Sequence, residues 1–289
     1  MPFRYIDIHS HLNFVAFDAD REATVKRALD AGVAMINVGT QQDTSKKAVE
    51  LAEKYEQGVY AIVGLHPVHT SKSFHDEKEL GEGGKEFTSR GEAFEVSNYK
   101  TLAEHPKVVG IGECGLDYYR MEHEGWNMEQ KRQEEAFRAQ IELAIEVKKP
   151  LMLHLRNGSG KSAYLDAFRI LESCFLNRES TVRGNLHFFA GSIEEAKPFL
   201  ELGFTFSFTG VVTFAKDYEG IVQYLPLDRI LSETDSPYVT PAPFRGKRNE
   251  PLYVQEVVKA IARIRGEDEE LVRAQIIKNA EHLFGISLS

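Results

Sequence analysis

The segment VVGIGE, residues 108–113, is a short apolar run that ends on one carboxylate, Glu113. Its length and its Val and Ile content are typical of a strand buried on both faces, as in a parallel sheet. Similar runs occur at 5–9, 35–39, 59–64, 108–113, 150–155, 184–189, 204–208 and 229–233. Stretches with the apolar spacing of helices lie between them, at 20–31, 43–57, 97–105, 129–148, 160–175, 192–202 and 214–224. Eight strands alternating with helices predict an α/β fold, a single (β/α)8 TIM-like barrel rather than an open sheet.

The length and composition fit one barrel domain. The chain has 289 residues, of which 42% are hydrophobic, so we predict a single domain over 1–289. The polar, glycine-bearing segment 71–96 is longer than an ordinary connection and is predicted to be an inserted loop after the third strand. A substrate lid and a tolerated surface insertion explain it equally well. The tail from 251 predicts two extra C-terminal helices that pack outside the barrel.

Composition also limits the location and the partners. No run approaches the ~18 apolar residues that span a membrane, and the N-terminus lacks the apolar region of a signal peptide. Two distant cysteines, Cys114 and Cys174, suit a reducing cytoplasm. The net charge of -9 disfavours a protein that wraps long nucleic acid and suits an enzyme that grips a small part of an anionic substrate. We expect a cytoplasmic protein with neither a membrane nor an obligate protein partner.

Ionisable side chains stand at the ends of several predicted strands. The residues are His9, His11, Glu113, His154, His187 and Asp235. In a closed barrel these strand ends converge on one rim, where barrel enzymes place their chemistry. Each residue alone could be a helix cap or a hydrogen-bonded core residue, but so many unpaired charges together would be costly to bury. Imidazoles and carboxylates without a thiolate suit Zn²⁺, Mn²⁺, Fe²⁺ or Co²⁺.

This predicted ligand set is larger than one tetrahedral zinc requires. We therefore predict two metal ions bridged by Glu113. The predicted ligands of the first ion are His9, His11 and Asp235, and those of the second are His154 and His187. Asp7 shares a strand face with the first two histidines and is a candidate hydrogen-bond partner for a ligand.

The chain resembles the TatD-type metal-dependent hydrolases, a branch of the amidohydrolase-like barrel enzymes. The resemblance covers nearly the whole chain and rests on DIHSHL (7–12), GLHP (64–67), GECGLDY (112–118), LHLR (153–156), LHFFAGS (186–192), ETDSPY (233–238), RGKRNEP (245–251) and NAEHLF (279–284). It implies a (β/α)8-like barrel with two divalent metal ions, Zn²⁺, Mn²⁺ or Mg²⁺, held by the same six residues. Members are typically described as metal-dependent deoxyribonucleases, often 3′→5′ exonucleases, and some as deacylases of mischarged tRNA.

Two features depart from the family pattern: the residues after the sixth strand, and the loop at 71–96, which is longer than expected and puts the size and access of the substrate in question. The family often has His-Cys-Phe-Ser-Gly after the sixth strand, whereas residues 187–191 here read HFFAG, which puts the local pocket shape in question. Other amidohydrolases bridge their metals with a carbamylated lysine. Glu113 stands at the fourth-strand position here, so we expect no carbamate.

The main functional hypothesis is a divalent-metal-dependent deoxyribonuclease, 3′→5′ exonuclease-like, that hydrolyses phosphodiester bonds with a metal-activated water. Its substrate would be DNA, as single strands or 3′ ends. Glu113 and Asp235 are the predicted catalytic residues, with Asp235 placed to orient or deprotonate the water. One alternative is an ester or amide hydrolase such as a D-aminoacyl-tRNA deacylase, with tRNA as substrate. A catalytically silent metal-binding interaction module is a third, which the complete ligand set disfavours.

Substrate contacts are predicted from the remaining polar residues near strand ends. The candidates are His66, Arg156, Arg245 and Arg248. A simple turn histidine explains the first nearly as well, and surface salt bridges explain the arginines equally well. Four aromatic residues could stack on bases: Tyr118, Tyr119, Trp126 and Phe244. Because core packing is the better expectation for most aromatic residues of a barrel, they are left out of the predicted site.

Overall fold

Eight parallel strands form one sheet in which each strand pairs with its neighbours in chain order. The computed structural model describes residues 2–72, 74–75, 87–119, 126–158, 160–176 and 182–288. The strands are β1 Tyr5–Ser10, β2 Val33–Val38, β3 Val59–Val63, β4 Val108–Asp117, β5 Leu151–Arg156, β6 Gly184–His187, β7 Thr205–Phe208 and β8 Ile230–Ser232. The predicted (β/α)8 barrel is confirmed. Its extension to a single domain over 1–289 stays a prediction.

Helices surround the sheet and connect its strands. They are α1 Arg21–Asp30, α2 Gln42–Glu53, α3 Val96–Ala103, α4 Trp126–Val147, α5 Ala163–Phe175, α6 Ile193–Glu201, α7 Glu219–Tyr224, α8 Val254–Arg265 and α9 Glu269–Phe284. The helix predicted over 214–224 is shorter in the structure, since 3₁₀ turns occupy 210–213 and 216–218. Of the two predicted C-terminal helices, α8 completes the eighth β/α unit and α9 is the added one.

The barrel closes where β8 meets β1, mainly through groups at the carboxyl ends of the two strands. The backbone N–H of His11 donates to the carbonyl oxygen of Ser236 at 2.8 Å, and that of Asp235 donates to the carbonyl of His9 at 2.9 Å. Farther from the carboxyl ends of the two strands, Oγ of Ser232 donates to the carbonyl of Ile6 at 3.0 Å. Closure therefore brings the first strand and the segment after the last strand into direct contact at the rim.

Asp7 joins the two sides of this seam with a buried carboxylate. It accepts hydrogen bonds from the backbone N–H of Thr234 at 2.9 Å, from the Thr234 hydroxyl at 2.5 Å and from the backbone N–H of His9 at 3.1 Å. The sequence suggested Asp7 as a partner for a ligand imidazole. Its carboxylate instead accepts hydrogen bonds from backbone groups and a hydroxyl, so it stabilises the seam.

The segment 71–96 follows β3 and a 3₁₀ turn, Pro67–Thr70. Phe74–His75 pairs antiparallel with Phe87–Thr88, apart from the barrel sheet. Residues 73 and 76–86 lie outside the described part of the chain, so the predicted inserted loop is covered only in part. Among the described helices, none combines the length and apolarity needed to cross a bilayer.

We expect Asp7→Ala to lower the free energy of unfolding by on the order of 3 kcal/mol, because it leaves the buried N–H groups of Thr234 and His9 without acceptors. Urea unfolding followed by circular dichroism measures the change. Asp30→Ala is the control: it removes an exposed i,i+4 ion pair with Lys26 and should cost about 0.5 kcal/mol or less. Equal losses in the two variants would contradict the role of Asp7 in the seam.

Candidate active site

Glu113 lies at the centre of the barrel mouth and is only 3% exposed. It belongs to β4, which continues past the predicted strand end to Asp117. Histidines from neighbouring strands and their following loops face its two carboxylate oxygens. A buried carboxylate needs compensating positive charge or hydrogen bonds, so these imidazoles decide the state of the site.

The two oxygens of Glu113 face different sets of imidazoles. Oε2 lies 3.3 Å from Nε2 of His9 and 3.8 Å from Nε2 of His11. Oε1 lies 3.0 Å from Nδ1 of His154, 3.2 Å from Nε2 of His66 and 3.5 Å from Nε2 of His187. One carboxylate therefore separates two groups of nitrogen donors, which is the arrangement expected of a bridging ligand.

Asp235 completes the group on the Oε2 side. Its Oδ1 lies 3.4 Å from Nε2 of His11 and 3.8 Å from Nε2 of His9. Its backbone adopts a positive φ of 55°, a conformation that few non-glycine residues hold. The hydrogen bond from its N–H to the carbonyl of His9 holds the backbone in this conformation. The contact between β8 and β1 therefore fixes the orientation of the Asp235 carboxylate. His187 lies between the groups, with its ring stacked on that of His9 at 3.6 Å.

The orientation of His11 leaves Nε2 with a lone pair. Its Nδ1 lies 2.9 Å from the carbonyl oxygen of Val38, which can only accept a hydrogen bond, so Nδ1 carries the proton. In the neutral ring Nε2 then carries the lone pair, and it lies 3.2 Å from the Nε2 of His9. Lone pairs and carboxylate oxygens that converge in this way fit a cation.

Two further carboxylates contact His154 and His187 on the side of each ring that faces away from Glu113. Oδ2 of Asp117 is 2.8 Å from Nε2 of His154, and Oε1 of Glu233 is 3.0 Å from Nδ1 of His187. In each ring the other nitrogen faces Glu113. This is the carboxylate–imidazole arrangement that orients histidine ligands of metals and makes them more basic.

The electrostatics of the site show how strongly it attracts positive charge. Burial favours neutral rings, yet hydrogen bonds with Asp117 and Glu113 raise the pKa of His154 to about 9. Burial likewise opposes charge on His187, but Glu233 and Glu113 raise its pKa to about 10. Burial alone would raise the pKa of Glu113, whereas the facing imidazoles hold it well below its usual range.

These shifts are a test of whether the residues fit a metal ion. Carboxylates that draw protons onto buried imidazoles also attract a divalent cation, which displaces those protons from the same nitrogens. The donors are nitrogen and carboxylate oxygen, as Zn²⁺, Mn²⁺ and related ions prefer. Within the described part of the chain, three overlapping groups of donor atoms lie close enough together to hold an ion: His9, His187 and Asp235; His9, His11 and Glu113; His66, Glu113 and His154. The residues therefore fit.

His66 contributes differently from the other histidines. The backbone N–H of Val68 donates to its Nδ1 at 3.2 Å, so the proton of a neutral ring lies on Nε2. Burial and the neighbouring His154 lower the pKa of His66 to about 4, which keeps the ring neutral. Nε2–H therefore donates toward Oε1 of Glu113, and His66 is oriented as a hydrogen-bond donor rather than as a ligand.

The predicted arginines are placed unequally around this centre. Arg156 follows His154 by two residues on β5 and stacks on Tyr119, with its guanidinium carbon 3.7 Å from the ring centroid. Arg245 stacks on Phe214 at 4.3 Å. Arg248 makes a two-point ion pair with Asp20, at 2.7 and 2.9 Å, as the surface salt-bridge explanation predicted. Its role in substrate binding stays a prediction.

The four aromatic residues also differ in their surroundings. Tyr118 is buried and its hydroxyl lies 3.2 Å from a carboxylate oxygen of Asp166, as a core residue should. Phe244 is half-buried and stacks on Tyr253 at 4.1 Å. Tyr119 is 42% exposed, so this residue is not part of the core. The side chain of Trp126 lies outside the described part of the structure.

Sequence analysis missed Asp117 and Glu233. Asp117 lies beyond the predicted end of the fourth strand at 113, whereas the strand continues for four more residues. Glu233 is the last residue of the predicted eighth strand, and the sequence alone assigns it no role. The signal was available in both cases, since each is an ionisable residue in or beside a buried strand, at an even spacing from Glu113 or Asp235.

The fold and this centre define a barrel hydrolase of the metal-dependent class. The family model described as "TatD related DNase" matches residues 6–285, and the chain belongs to this family. It is 37% identical over 285 residues to the uncharacterized metal-dependent hydrolase YabD of Bacillus subtilis, covering 97% of this chain and 99% of that protein. It is 33% identical over 290 residues to the 3′-5′ ssDNA/RNA exonuclease TatD of Pantoea ananatis, with the same coverage of 97% and 99%. The crystal structure of the TatD homologue YJJV from Escherichia coli matches with a TM-score of 0.79 at 28% identity, over 99% of this chain and 100% of that one.

We expect Asp117→Asn and Glu233→Gln each to weaken metal binding by about 10- to 100-fold, because each removes the carboxylate behind an imidazole. Titration with Zn²⁺ and Mn²⁺ followed by elemental analysis measures the affinity. Asp166→Asn, which alters a carboxylate on the surface helix α5, should bind metal like the wild type. Unchanged affinity in both site variants, with normal circular dichroism, would show that these carboxylates do not support ligands.

Proposed function

We propose that this hydrolase binds two divalent metal ions bridged by Glu113 and cleaves phosphodiester bonds of nucleic acid. The observation that carries the proposal is the division of imidazoles between the two oxygens of one buried carboxylate. A mononuclear site would not require donors on both sides of Glu113. Bridged metal pairs recur in phosphatases, nucleases and other enzymes that displace groups from phosphorus.

The proposed ligands follow this division. On the Oε2 side they are His9, His11 and Asp235. On the Oε1 side they are His154 and His187, each supported by a carboxylate on its other nitrogen. His66 is left out of the ligand set because its Nε2 carries the proton. Its N–H instead faces Oε1 of Glu113 at 3.2 Å and holds that carboxylate in position, while its contact with the substrate stays a prediction.

The chemistry is divided between the ions and the chain. Bound divalent cations supply positive charge against the phosphoryl oxygens and lower the pKa of water. Asp235 is partly open to the mouth, with 13% of its side chain exposed. It can therefore orient the attacking water and accept its proton. Glu113 is buried from solvent, which suits a positioning role rather than proton exchange.

Nucleic acid is the substrate class that the surroundings of the site support. Relatives of this chain carry the name 3′-5′ ssDNA/RNA exonuclease. Arg156 and Arg245 place positive charge beside aromatic rings on mouth loops, although the whole chain carries a net charge of -9. A local cationic rim on an acidic protein favours short or terminal segments over long duplexes. We propose single-stranded DNA with a free 3′ end as the substrate, in the cytoplasm.

The test is an assay on oligonucleotides with one end blocked. The wild type with Mn²⁺, Mg²⁺ or Zn²⁺ should shorten single-stranded DNA from a free 3′ end and spare a 3′-blocked strand. Cleavage of a 5′-blocked strand should be normal. Parallel assays on D-aminoacyl-tRNA separate the ester hydrolase: turnover of that substrate alone would reject the nuclease, and no turnover of either would favour a silent metal-binding protein.

We expect Glu113→Gln to lower kcat on oligonucleotides by at least about 10³-fold, since an amide cannot bridge two cations as a carboxylate does. Elemental analysis should show loss of both ions. Glu50→Gln, an exposed change on α2, is the control and should keep full activity and metal content. Near-normal turnover with two bound ions in the Glu113 variant would refute the bridging role.

A further inference from the structure

Tyr119 and Arg156 form a flat, partly exposed pair immediately beside the candidate metal centre. The guanidinium carbon of Arg156 lies 3.7 Å from the ring centroid of Tyr119, and Tyr119 is 42% exposed. An arginine stacked on an aromatic ring presents both a planar surface and hydrogen-bond donors. We infer that this pair is a nucleotide-binding subsite, in which a base of the substrate stacks on the pair while Arg156 contacts a phosphate.

Short contacts connect the pair to the centre. The backbone N–H of Tyr119 donates to Oδ1 of Asp117 at 3.0 Å, and Oδ2 of the same carboxylate holds Nε2 of His154 at 2.8 Å. His154 in turn lies 3.0 Å from Glu113. Arg156 stands two residues after His154 on β5, so the two side chains share a face of the strand. The subsite is therefore next to the place where a phosphate would react.

The backbone beneath the pair is held by close contacts between the ends of two strands. The N–H of Tyr118 donates to the carbonyl of Arg156 at 2.9 Å, which ties the end of β4 to the end of β5. Gly158 packs so tightly here that a Cβ atom would lie 2.2 Å from the carbonyl oxygen of Tyr118. Tyr118 itself turns inward and leaves Tyr119 to face solvent. Such a platform needs little ordering when a substrate binds, which favours affinity.

The chemistry of the pair selects single strands without selecting their sequence. Every base has a flat face that can stack, so an aromatic and guanidinium platform binds bases of any kind. Bases in a duplex are already stacked and paired, and they are not available to such a surface. This inference rests on the proposed nuclease function and specifies how its substrate is held.

The test compares a normal single-stranded oligonucleotide with one whose three terminal residues at both ends lack bases. Tyr119→Ala should raise KM for the normal strand about 10-fold, the loss expected when one base no longer stacks, and leave kcat and metal content unchanged. Its KM for the abasic strand should equal that of the wild type. Tyr119→Phe keeps the aromatic ring and should have the KM of the wild type. Arg156→Lys should raise KM, because lysine keeps the positive charge but lacks the planar guanidinium group.

Tyr224→Ala is the matched control. Tyr224 is also 42% exposed, but it ends α7, which leads back to the start of β8 on the opposite face of the barrel. This variant should bind and cleave both strands as the wild type does. A KM for Tyr119→Ala equal to that of the wild type would overturn the subsite and leave the nuclease standing.

Fluorescence anisotropy with a phosphorothioate strand, which resists cleavage, gives a second measurement that does not depend on turnover. Tyr119→Ala should weaken binding of this strand about 10-fold. Binding by the wild type without cleavage of ordinary DNA would overturn the proposed function alone. Absence of any binding by the wild type, or equal binding by the variant, would overturn the subsite.

Discussion

The buried charge of Glu113 is the constraint on which the rest of the site depends. A carboxylate that is 3% exposed cannot rely on water for compensation. The barrel instead brings imidazoles from four different strands or strand ends to its two oxygens. No local segment of the chain could supply these groups, so the centre exists only when the sheet is closed.

Other carboxylates hold the imidazoles and the seam in place. Asp117 and Glu233 contact the nitrogens of His154 and His187 that point away from Glu113. Asp7 holds the segment after β8 against β1 through backbone groups. Each of these carboxylates is buried and is fixed by hydrogen bonds to its neighbours. Such contacts hold the side chains of a binding site in place before a ligand binds. The proposed ligands therefore face Glu113, and the carboxylates that orient them contact the opposite side of the imidazole rings.

The carboxylates inside the barrel mouth and the arginines at its rim have different roles. Carboxylates inside the mouth attract metal ions, while an anionic substrate would be repelled by the same carboxylates without those ions. Arg156 and Arg245, each stacked on an aromatic ring, place positive charge at the rim. This local positive charge fits the proposed nucleic-acid substrate, although the whole chain carries a net charge of -9.

The sequence by itself determined the barrel and its candidate ligands. Apolar runs of strand length alternate with helical patterns, and ionisable residues at strand ends must converge when eight such units close. What only the tertiary structure decided was the partner of each polar group. Sequence spacing does not show that His66 donates its Nε2 proton, that Arg248 is paired with Asp20, or that Tyr119 faces solvent while Tyr118 does not. These properties depend on contacts between residues far apart in the chain, which form only when the strands are in register.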